Sequence, residues 1–168
     1  MQKIISSTNE LKTSFAPIAN GKTRILILGS LPGDKSLEFQ QYYAHPRNRF
    51  WRVLAEITDS DFPNNYEEKI NLLQQNKIGL WDVVNNAKRV GSLDTNILDE
   101  VPNDLDEFIL NHPQLEIIVF NGTKSQKLFD KYFMRKTELK YIALPSTSPA
   151  NAAFTFEKLC GKWGEIFK

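Results

Sequence analysis

Residues 24–51 read RILILGSLPGDKSLEFQQYYAHPRNRFW, and this stretch decides the fold that we predict for the chain. Its first six residues, RILILG, form a nearly continuous apolar run that ends in glycine, which indicates a buried parallel strand. Ligands of open α/β sheets bind beyond the carboxyl ends of such strands. The chain leaves that end through Gly29, Pro32 and Gly33, residues that let the backbone approach a ligand closely. We therefore expect the functional site directly after this strand.

Polar and aromatic side chains are concentrated in the segment that follows. Residues 42–49 hold two adjacent tyrosines, a histidine, two arginines and an asparagine. Flat rings can stack on a planar ligand, guanidinium groups bind phosphate, and an uncharged amide can hold a water molecule. The segment contains no obvious strong nucleophile.

Length and composition limit the possible classes of protein. The chain has 168 residues and an ordinary apolar fraction, which fits a single domain over residues 1–168 with a polar lead-in segment at 1–22. Lys and Arg total 21 against 20 Asp and Glu, so the net charge of +1 gives no global signal for nucleic acid. Any DNA-binding surface must therefore be a local patch.

Cysteine content and hydropathy give expectations about compartment and metal sites. The chain has one cysteine, Cys160, which permits no internal disulfide and no four-cysteine zinc or iron–sulfur site. We find neither an apolar stretch typical of a signal peptide nor a run long enough to span a bilayer. We expect a cytoplasmic protein that does not contact membranes.

Apolar runs and helical periodicities alternate along the rest of the chain. Strands are predicted at 78–84, 115–120 and 139–144. Helices are predicted after Asn48 and at 66–76, 102–111, 122–133 and 154–167, and residues 90–104 are predicted to form a long loop. This order indicates a three-layer α/β/α sandwich on a short, mainly parallel four-stranded sheet.

Two segments together resemble a known family. GSLPGDKS followed by YYAHPRNRFW, residues 29–36 and 42–51, resembles the first motif of the uracil-DNA glycosylase superfamily. It is closest to the hypoxanthine-DNA glycosylase branch and is related to the mismatch-specific branch. PSTSPANA, residues 145–152, is similar to the second motif of that superfamily, a loop that enters the minor groove and displaces the target nucleotide. Both motifs in the right order are more specific than either alone.

The resemblance implies a catalytic role for Asn48. The position that usually carries a water-positioning Asp or Asn is Leu31 here, and leucine cannot accept a hydrogen bond. The hypoxanthine branch uses an asparagine further along the motif, and Asn48 matches it. From the residues alone, Asn48 is also a good helix N-cap. From its chemistry, His45 could stabilise the departing base or contact phosphate, and a structural hydrogen-bonding role is the alternative.

Further roles follow from the same resemblance. Tyr43 matches the ring that stacks on the flipped base, whereas Tyr42 is expected in the core. Asp82 matches a base-reading position, and its carboxylate could accept the ring NH of hypoxanthine, xanthine or uracil; an ion pair with Lys88 or Arg89 is the alternative. The expected base-binding residues are Tyr43, Asp82, Gly29, Ser30 and Leu31.

The expected DNA-binding residues come from both motifs. They are Gly33, Ser36, Arg47, Arg49, Ser146, Thr147, Ser148, Pro149, Ala150 and Asn151. For the two arginines the alternative is a solvated surface pair, and for the second motif it is a helix cap by Ser148 with Pro149 at the first helical position. Asn121 is expected to cap the helix that begins at Thr123, and Ser92 and Asp94 to stabilise a turn near the site.

The resemblance implies a monofunctional DNA glycosylase that removes hypoxanthine from deoxyinosine, with xanthine as a further substrate, by hydrolysis. No catalytic lysine is evident, so no lyase step is expected. The expected partner is double-stranded DNA containing a deaminated base, bound by a monomer without metal or cofactor. The alternatives are a G:U/G:T mismatch-specific uracil or thymine glycosylase, and a non-catalytic damaged-DNA or nucleotide-binding module.

Overall fold

A four-stranded parallel sheet forms the centre of the protein in a computed structural model that describes residues 10–168. Its strands are β2 (Ile25–Gly29), β3 (Ile78–Asp82), β6 (Ile117–Asn121) and β7 (Lys140–Leu144), in the spatial order β3-β2-β6-β7. All four strands that the apolar runs predict are therefore confirmed. Strand β2 is central and buried along its whole length, as expected for a parallel strand that is covered on both faces.

Alternate residues of β2 contribute to two separate hydrophobic cores. Ile25 and Ile27 pack against α2 (Phe50–Ile57), α3 (Tyr66–Gln75) and α6 (Phe156–Trp163). On the opposite face, Leu26 and Leu28 pack against α4 (Leu105–Asn111) and α5 (Thr123–Tyr132). Helices on both faces of one sheet confirm the predicted three-layer α/β/α sandwich.

A second, antiparallel sheet was not predicted. It consists of β1 (Glu10–Thr13), β4 (Val84–Arg89) and β5 (Leu98–Pro102), in the order β1-β4-β5. The strand predicted at 78–84 ends at Asp82, and the chain enters β4 two residues later. The loop predicted at 90–104 contains β5, which was missed because the sequence LDEVP is polar and mostly exposed.

Other boundaries differ in detail. The helix predicted at 102–111 begins at Leu105, because Asp104 accepts a hydrogen bond from the Glu107 N–H and acts as its N-cap. A short helix that was not predicted, α1 (Asp34–Phe39), lies within the first motif, and short 3-10 helices cover Asp94–Asn96 and Gly164–Phe167. Of the predicted lead-in segment 1–22, residues 1–9 lie outside the described part of the chain.

Candidate active site

A cleft of about 550 Å³ opens at the carboxyl edge of the parallel sheet. The last residue of β3 and the segments that follow β2, β6 and β7 contribute to its walls, as expected for a ligand site in an open α/β sheet. Its lining includes the predicted residues Gly29, Ser30, Leu31, Gly33, Ser36, Tyr43, His45, Asn48, Asp82, Ser146, Ser148, Pro149, Ala150 and Asn151. The two motifs, which are distant in sequence, therefore meet around one cavity.

Asp82 lies at the floor of this cleft, at the last position of β3. It pairs with Gly29 in the parallel register of β2 and β3. A Cβ atom at position 29 would lie 2.5 Å from Asp82 Oδ1 and 3.2 Å from the Tyr43 hydroxyl oxygen. The missing side chain of Gly29 thus makes room for the Asp82 carboxyl and the Tyr43 hydroxyl.

The Asp82 carboxyl is buried and has no ionic partner within residues 10–168. Its residue is 4% exposed, and Oδ2 receives no hydrogen bond from the described part of the chain. Burial, and secondarily the negative charge of Asp94, raise the pKa of Asp82 to about 7. The alternative of an ion pair is wrong for both candidates, since Lys88 pairs with Asp99 and the Arg89 guanidinium donates to the Pro32 carbonyl. An unpaired carboxyl in a cleft is a candidate for ligand recognition.

Tyr43 presents its ring to the cleft and its hydroxyl to the interior. The ring stacks on Phe50 with centroids 4.1 Å apart and an interplanar angle of 23°. The hydroxyl is buried and forms no hydrogen bond within residues 10–168, and burial raises its pKa above the usual range. Tyr42, in contrast, is a core residue as predicted. A ring fixed from behind by Phe50 offers a flat surface to a planar ligand.

Asn48 is held by two hydrogen bonds to one atom. Its Oδ1 accepts from the backbone N–H of Phe50 at 2.9 Å and from the hydroxyl of Thr147 at 2.9 Å. The first of these is a capping interaction with the first residue of α2, although the cap position itself is Arg49. Asn48 therefore supports the helix and lines the cleft at the same time.

Thr147 does not face DNA. It is 0% exposed, does not line the cleft, and connects Asn48 to Asn121. The prediction that places it among the groove-facing residues of the loop is therefore wrong. Asn121 likewise does not cap α5, whose N-cap is Gly122 without a side-chain hydrogen bond. Its amide bonds to Thr147 instead.

The half-buried side chain of Arg49 fixes the second motif. Its guanidinium donates to the carbonyls of Ser148, Asn151 and Phe154, and its backbone N–H donates to the Thr147 carbonyl. These bonds contradict the alternative of a freely solvated surface pair for Arg49, and its expected phosphate contact stays a prediction. Arg47, in contrast, is exposed and lies outside the cleft lining.

The second-motif loop is ordered by its own hydrogen bonds. Ser146 Oγ accepts from the Ser148 N–H, Ser148 Oγ accepts from the Ala150 N–H, and Asn151 Nδ2 donates to the Ser146 carbonyl. No helix starts at Pro149, because α6 begins at Phe156 with Thr155 as its N-cap. The alternative of a Ser148 helix cap is therefore wrong, and residues 148–150 form a bend and a turn instead.

The first-motif loop is braced by residues 92–94. Ser30 Oγ donates to Asp94 Oδ1 at 2.5 Å, and Ser92 Oγ accepts from the Asp34 N–H at 2.9 Å. Ser36 is buried, and its hydroxyl accepts from the Ala44 N–H. Lys35 and Lys124, which sequence reasoning did not place at the site, also line the cleft.

His45 is exposed at the rim, with its Nδ1 accepting the Arg47 backbone N–H at 3.0 Å. This bond assigns the proton of the neutral ring to Nε2, which is then the atom available to a ligand.

Across residues 10–168, no group of three or more His, Cys, Asp or Glu side chains is placed to hold a metal ion. None of the helices in this range is long and apolar enough to cross a membrane.

A family model described as the uracil DNA glycosylase superfamily matches residues 16–163. The chain belongs to this superfamily. Two curated relatives of this superfamily member are named hypoxanthine DNA glycosylase. The protein of Methanosarcina barkeri (strain Fusaro / DSM 804) is 41% identical over 158 residues, covering 94% of this chain and 98% of the relative. The protein of Methanosarcina acetivorans is 37% identical over 159 residues, covering 94% and 99% respectively.

A solved structure of a superfamily member has the same fold. It is a solution NMR structure from Methanosarcina acetivorans, described as a candidate uracil DNA glycosylase. The two structures superpose with a TM-score of 0.80 at 36% identity, covering 94% of this chain and 97% of the other. The glycosylase fold that the two motifs imply is thus confirmed over nearly the whole chain.

Asn121 lines the cleft, and sequence reasoning missed its contacts with Thr147. The signal that could have found it is its position: like Asp82, it is a polar residue that ends a buried parallel strand, where side chains face the ligand edge.

Proposed function

We propose that this glycosylase superfamily member hydrolyses the bond between hypoxanthine and deoxyribose in DNA that contains deoxyinosine. The observation that carries the proposal is the unpaired Asp82 carboxyl beside the ring of Tyr43 in the cleft between the two motifs. Two full-length relatives that are named hypoxanthine DNA glycosylase support the same substrate.

The cleft has the parts needed to hold a flipped base. Tyr43, supported by Phe50, offers a stacking surface, and the ionised Asp82 carboxyl can accept the N1–H of hypoxanthine. Adenine presents an acceptor, N1, at that ring position. Its lone pair would face a lone pair of the carboxylate, so no hydrogen bond can form. Xanthine and uracil share the ring NH and are expected as weaker substrates.

The proposed reaction is hydrolysis of a flipped nucleotide in duplex DNA by a monomer. The ordered second-motif loop faces the minor groove and displaces the nucleotide. Asn48 and His45 line the cleft where the base departs. A transition state with negative charge on the base benefits from fixed hydrogen-bond donors at such a site.

The test is an excision assay with the purified protein, in EDTA, on duplexes that carry inosine, xanthine, uracil or thymine opposite each normal base. We expect alkali-dependent strand cleavage, largest for inosine, and no covalent DNA adduct after borohydride reduction. Binding without excision of any base would instead favour the damaged-DNA-binding module. A thymine or uracil rate above the inosine rate would favour the mismatch-specific alternative, and size-exclusion chromatography with light scattering tests the monomer.

A further inference from the structure

The hydrogen bonds around Asn48 determine which end of its amide can take part in the reaction. A backbone N–H can only donate, so the side-chain atom that faces Phe50 N must be the oxygen Oδ1. The orientation of the amide therefore follows from chemistry and not from a choice between two similar atoms. This orientation places Nδ2 on the side of the Asn48 amide that faces away from the Phe50 backbone N–H.

Thr147 occupies the second acceptor position of the same oxygen. Because Oδ1 only accepts, the Thr147 hydroxyl must donate its single proton to it across 2.9 Å. A carbonyl oxygen has two lone pairs, so the Phe50 and Thr147 bonds use both of them. The oxygen of Asn48 is thus already satisfied by the protein.

Asn121 fixes the direction of the Thr147 hydroxyl. The backbone N–H of Thr147 donates to Asn121 Oδ1 at 3.0 Å, which directs Asn121 Nδ2 to the Thr147 hydroxyl oxygen, also at 3.0 Å. The hydroxyl oxygen accepts this bond and has only its proton left to give. Thr147 is completely buried, and Asn121 is nearly so, so water does not compete for these bonds.

The geometry points to Asn48 acting in the reaction as a hydrogen-bond donor through Nδ2, with Thr147 and Asn121 as positioning residues that hold the amide in this orientation. Nδ2 has no partner within the described residues and is not among the buried unsatisfied atoms, and Asn48 lines the cleft. This inference rests on the proposed glycosylase function. It replaces the expectation that the amide oxygen orients a water.

A donor is useful where negative charge develops. During hydrolysis the bond between C1′ and N9 breaks, its electron pair moves to the base, and a water oxygen forms a bond to C1′. The water releases one proton, which ends on the departing hypoxanthine, so that atoms and charge balance. A fixed N–H donor beside an acceptor atom of the purine stabilises the charge while it builds up.

The decisive variant is Asn48→Asp, because the aspartate keeps one oxygen for Phe50 and Thr147 and exchanges the Nδ2 donor for a second acceptor. If Asn48 donates to the base, the single-turnover rates on an inosine duplex at pH 8 follow the order wild type, Asn48→Ala, Asn48→Asp, with the aspartate variant lowest by charge repulsion. If Asn48 orients water through an acceptor, Asn48→Asp exceeds Asn48→Ala. That second order overturns the inference.

The pH dependence of the Asn48→Asp rate distinguishes a donor role from a merely structural role, which would leave this dependence unchanged. A protonated aspartate regains an O–H donor, so the rate of Asn48→Asp relative to wild type should rise as the pH falls from 8 to 5. A constant ratio across this range contradicts the donor role. Wild-type enzyme measured in parallel removes the contribution of other titrating groups, including Asp82.

Thr147 is tested with an isosteric and a conservative variant. Thr147→Val should lower the single-turnover rate by about 10-fold and leave duplex affinity within about 2-fold, whereas Thr147→Ser should stay within about 3-fold of the wild-type rate. The double variant Asn48→Ala/Thr147→Val should be no slower than Asn48→Ala, because Thr147 acts only through Asn48. Additive losses overturn the positioning role.

Two controls separate folding from function. Thr58→Val removes a hydroxyl at the far end of α2 that bonds to local carbonyls, so it reports the stability cost of losing a helix-associated hydroxyl without changing excision. Thermal unfolding of all variants identifies any that are not folded at the assay temperature. If the folded wild type excises none of the bases, the proposed function is wrong. If the wild type is active and Asn48→Asp is faster than Asn48→Ala, only this inference is wrong.

Discussion

Gly29 and Asp82 are directly paired across β2 and β3, and the Asp82 carboxyl occupies the space that a side chain at position 29 would need. The two residues therefore define the floor of the cleft together. A glycine at the end of a buried strand is here required by a close approach rather than by a left-handed backbone.

Substituting Gly29 by alanine should damage the site more than the fold. The new Cβ would lie 2.5 Å from Asp82 Oδ1, so the carboxyl must rotate away from its position in the cleft. We expect Gly29→Ala to lose at least about 10-fold in excision rate, and to lose roughly 1–3 kcal/mol of stability from overpacking. Gly161→Ala is the matched control, because a Cβ there meets nothing within 4 Å. Equal activity of the two variants would argue against a role for the Asp82 position.

Asp82→Asn should weaken base selectivity. An amide can rotate to donate as well as to accept, so it also suits adenine, whereas a carboxylate only accepts. One mismatched buried hydrogen bond costs about 1–3 kcal/mol, so the ratio of inosine to adenosine excision should narrow by about 10-fold. Single-turnover rates on matched duplexes measure it. An unchanged ratio would mean that backbone groups select the base.

The stability of Asp82→Asn relative to wild type should depend on pH. The folded pKa of Asp82 is raised from 3.8 to about 7. Between about pH 4 and pH 7 the unfolded chain has released this proton and the folded protein keeps it, so wild type loses stability as the pH rises through this window. The variant has no such loss. In urea unfolding, the free energy of unfolding of the variant relative to wild type should rise by on the order of 1–4 kcal/mol between pH 4 and pH 7. Above pH 7 this difference should stay constant.

Parallel pH profiles for the two proteins would contradict the raised pKa of Asp82. The same titration should also affect selectivity in the wild type. Below about pH 7 the neutral acid can donate to adenine N1, so discrimination against adenosine should fall as the protein is acidified.

Asn48→Ala should lose at least about 100-fold in single-turnover excision while product DNA still binds. Loss of the capping bond to Phe50 alone should lower the free energy of unfolding by only about 1 kcal/mol. Fluorescence anisotropy with abasic duplex and thermal unfolding separate these effects. Near-normal excision by Asn48→Ala would show that Asn48 has no catalytic role.

The two arginines of the first motif should respond differently to substitution. Arg47 is exposed, so Arg47→Ala should reduce the slope of log affinity against log salt by about 1 if the side chain contacts a phosphate. Arg49 bonds to three carbonyls of the loop, so Arg49→Ala should leave the slope unchanged and lower stability by roughly 1–3 kcal/mol. A salt titration of duplex binding distinguishes them, and a reduced slope for Arg49→Ala would show that Arg49 also contacts a phosphate.

Local sequence patterns predicted the central sheet because burial on both faces leaves a clear apolar run, as in Ile25–Gly29. They missed β5 because an exposed strand shows no such contrast. The two motifs also predicted most of the residues that line the cleft. The internal role of Arg49 could not, since its partners at Ser148 and Asn151 are set by tertiary packing and not by neighbours in sequence.

Residues 48 and 49 are neighbours, and both hold the loop of the second motif, Asn48 through Thr147 and Arg49 through three carbonyls. In the proposed complex with DNA, the same contacts therefore position both the loop of the second motif and the Asn48 amide. The conformational entropy of ordering this loop is lost on folding and not on meeting DNA, which favours tight engagement. We expect a loop held in this way to tolerate little change in the register of the bound duplex.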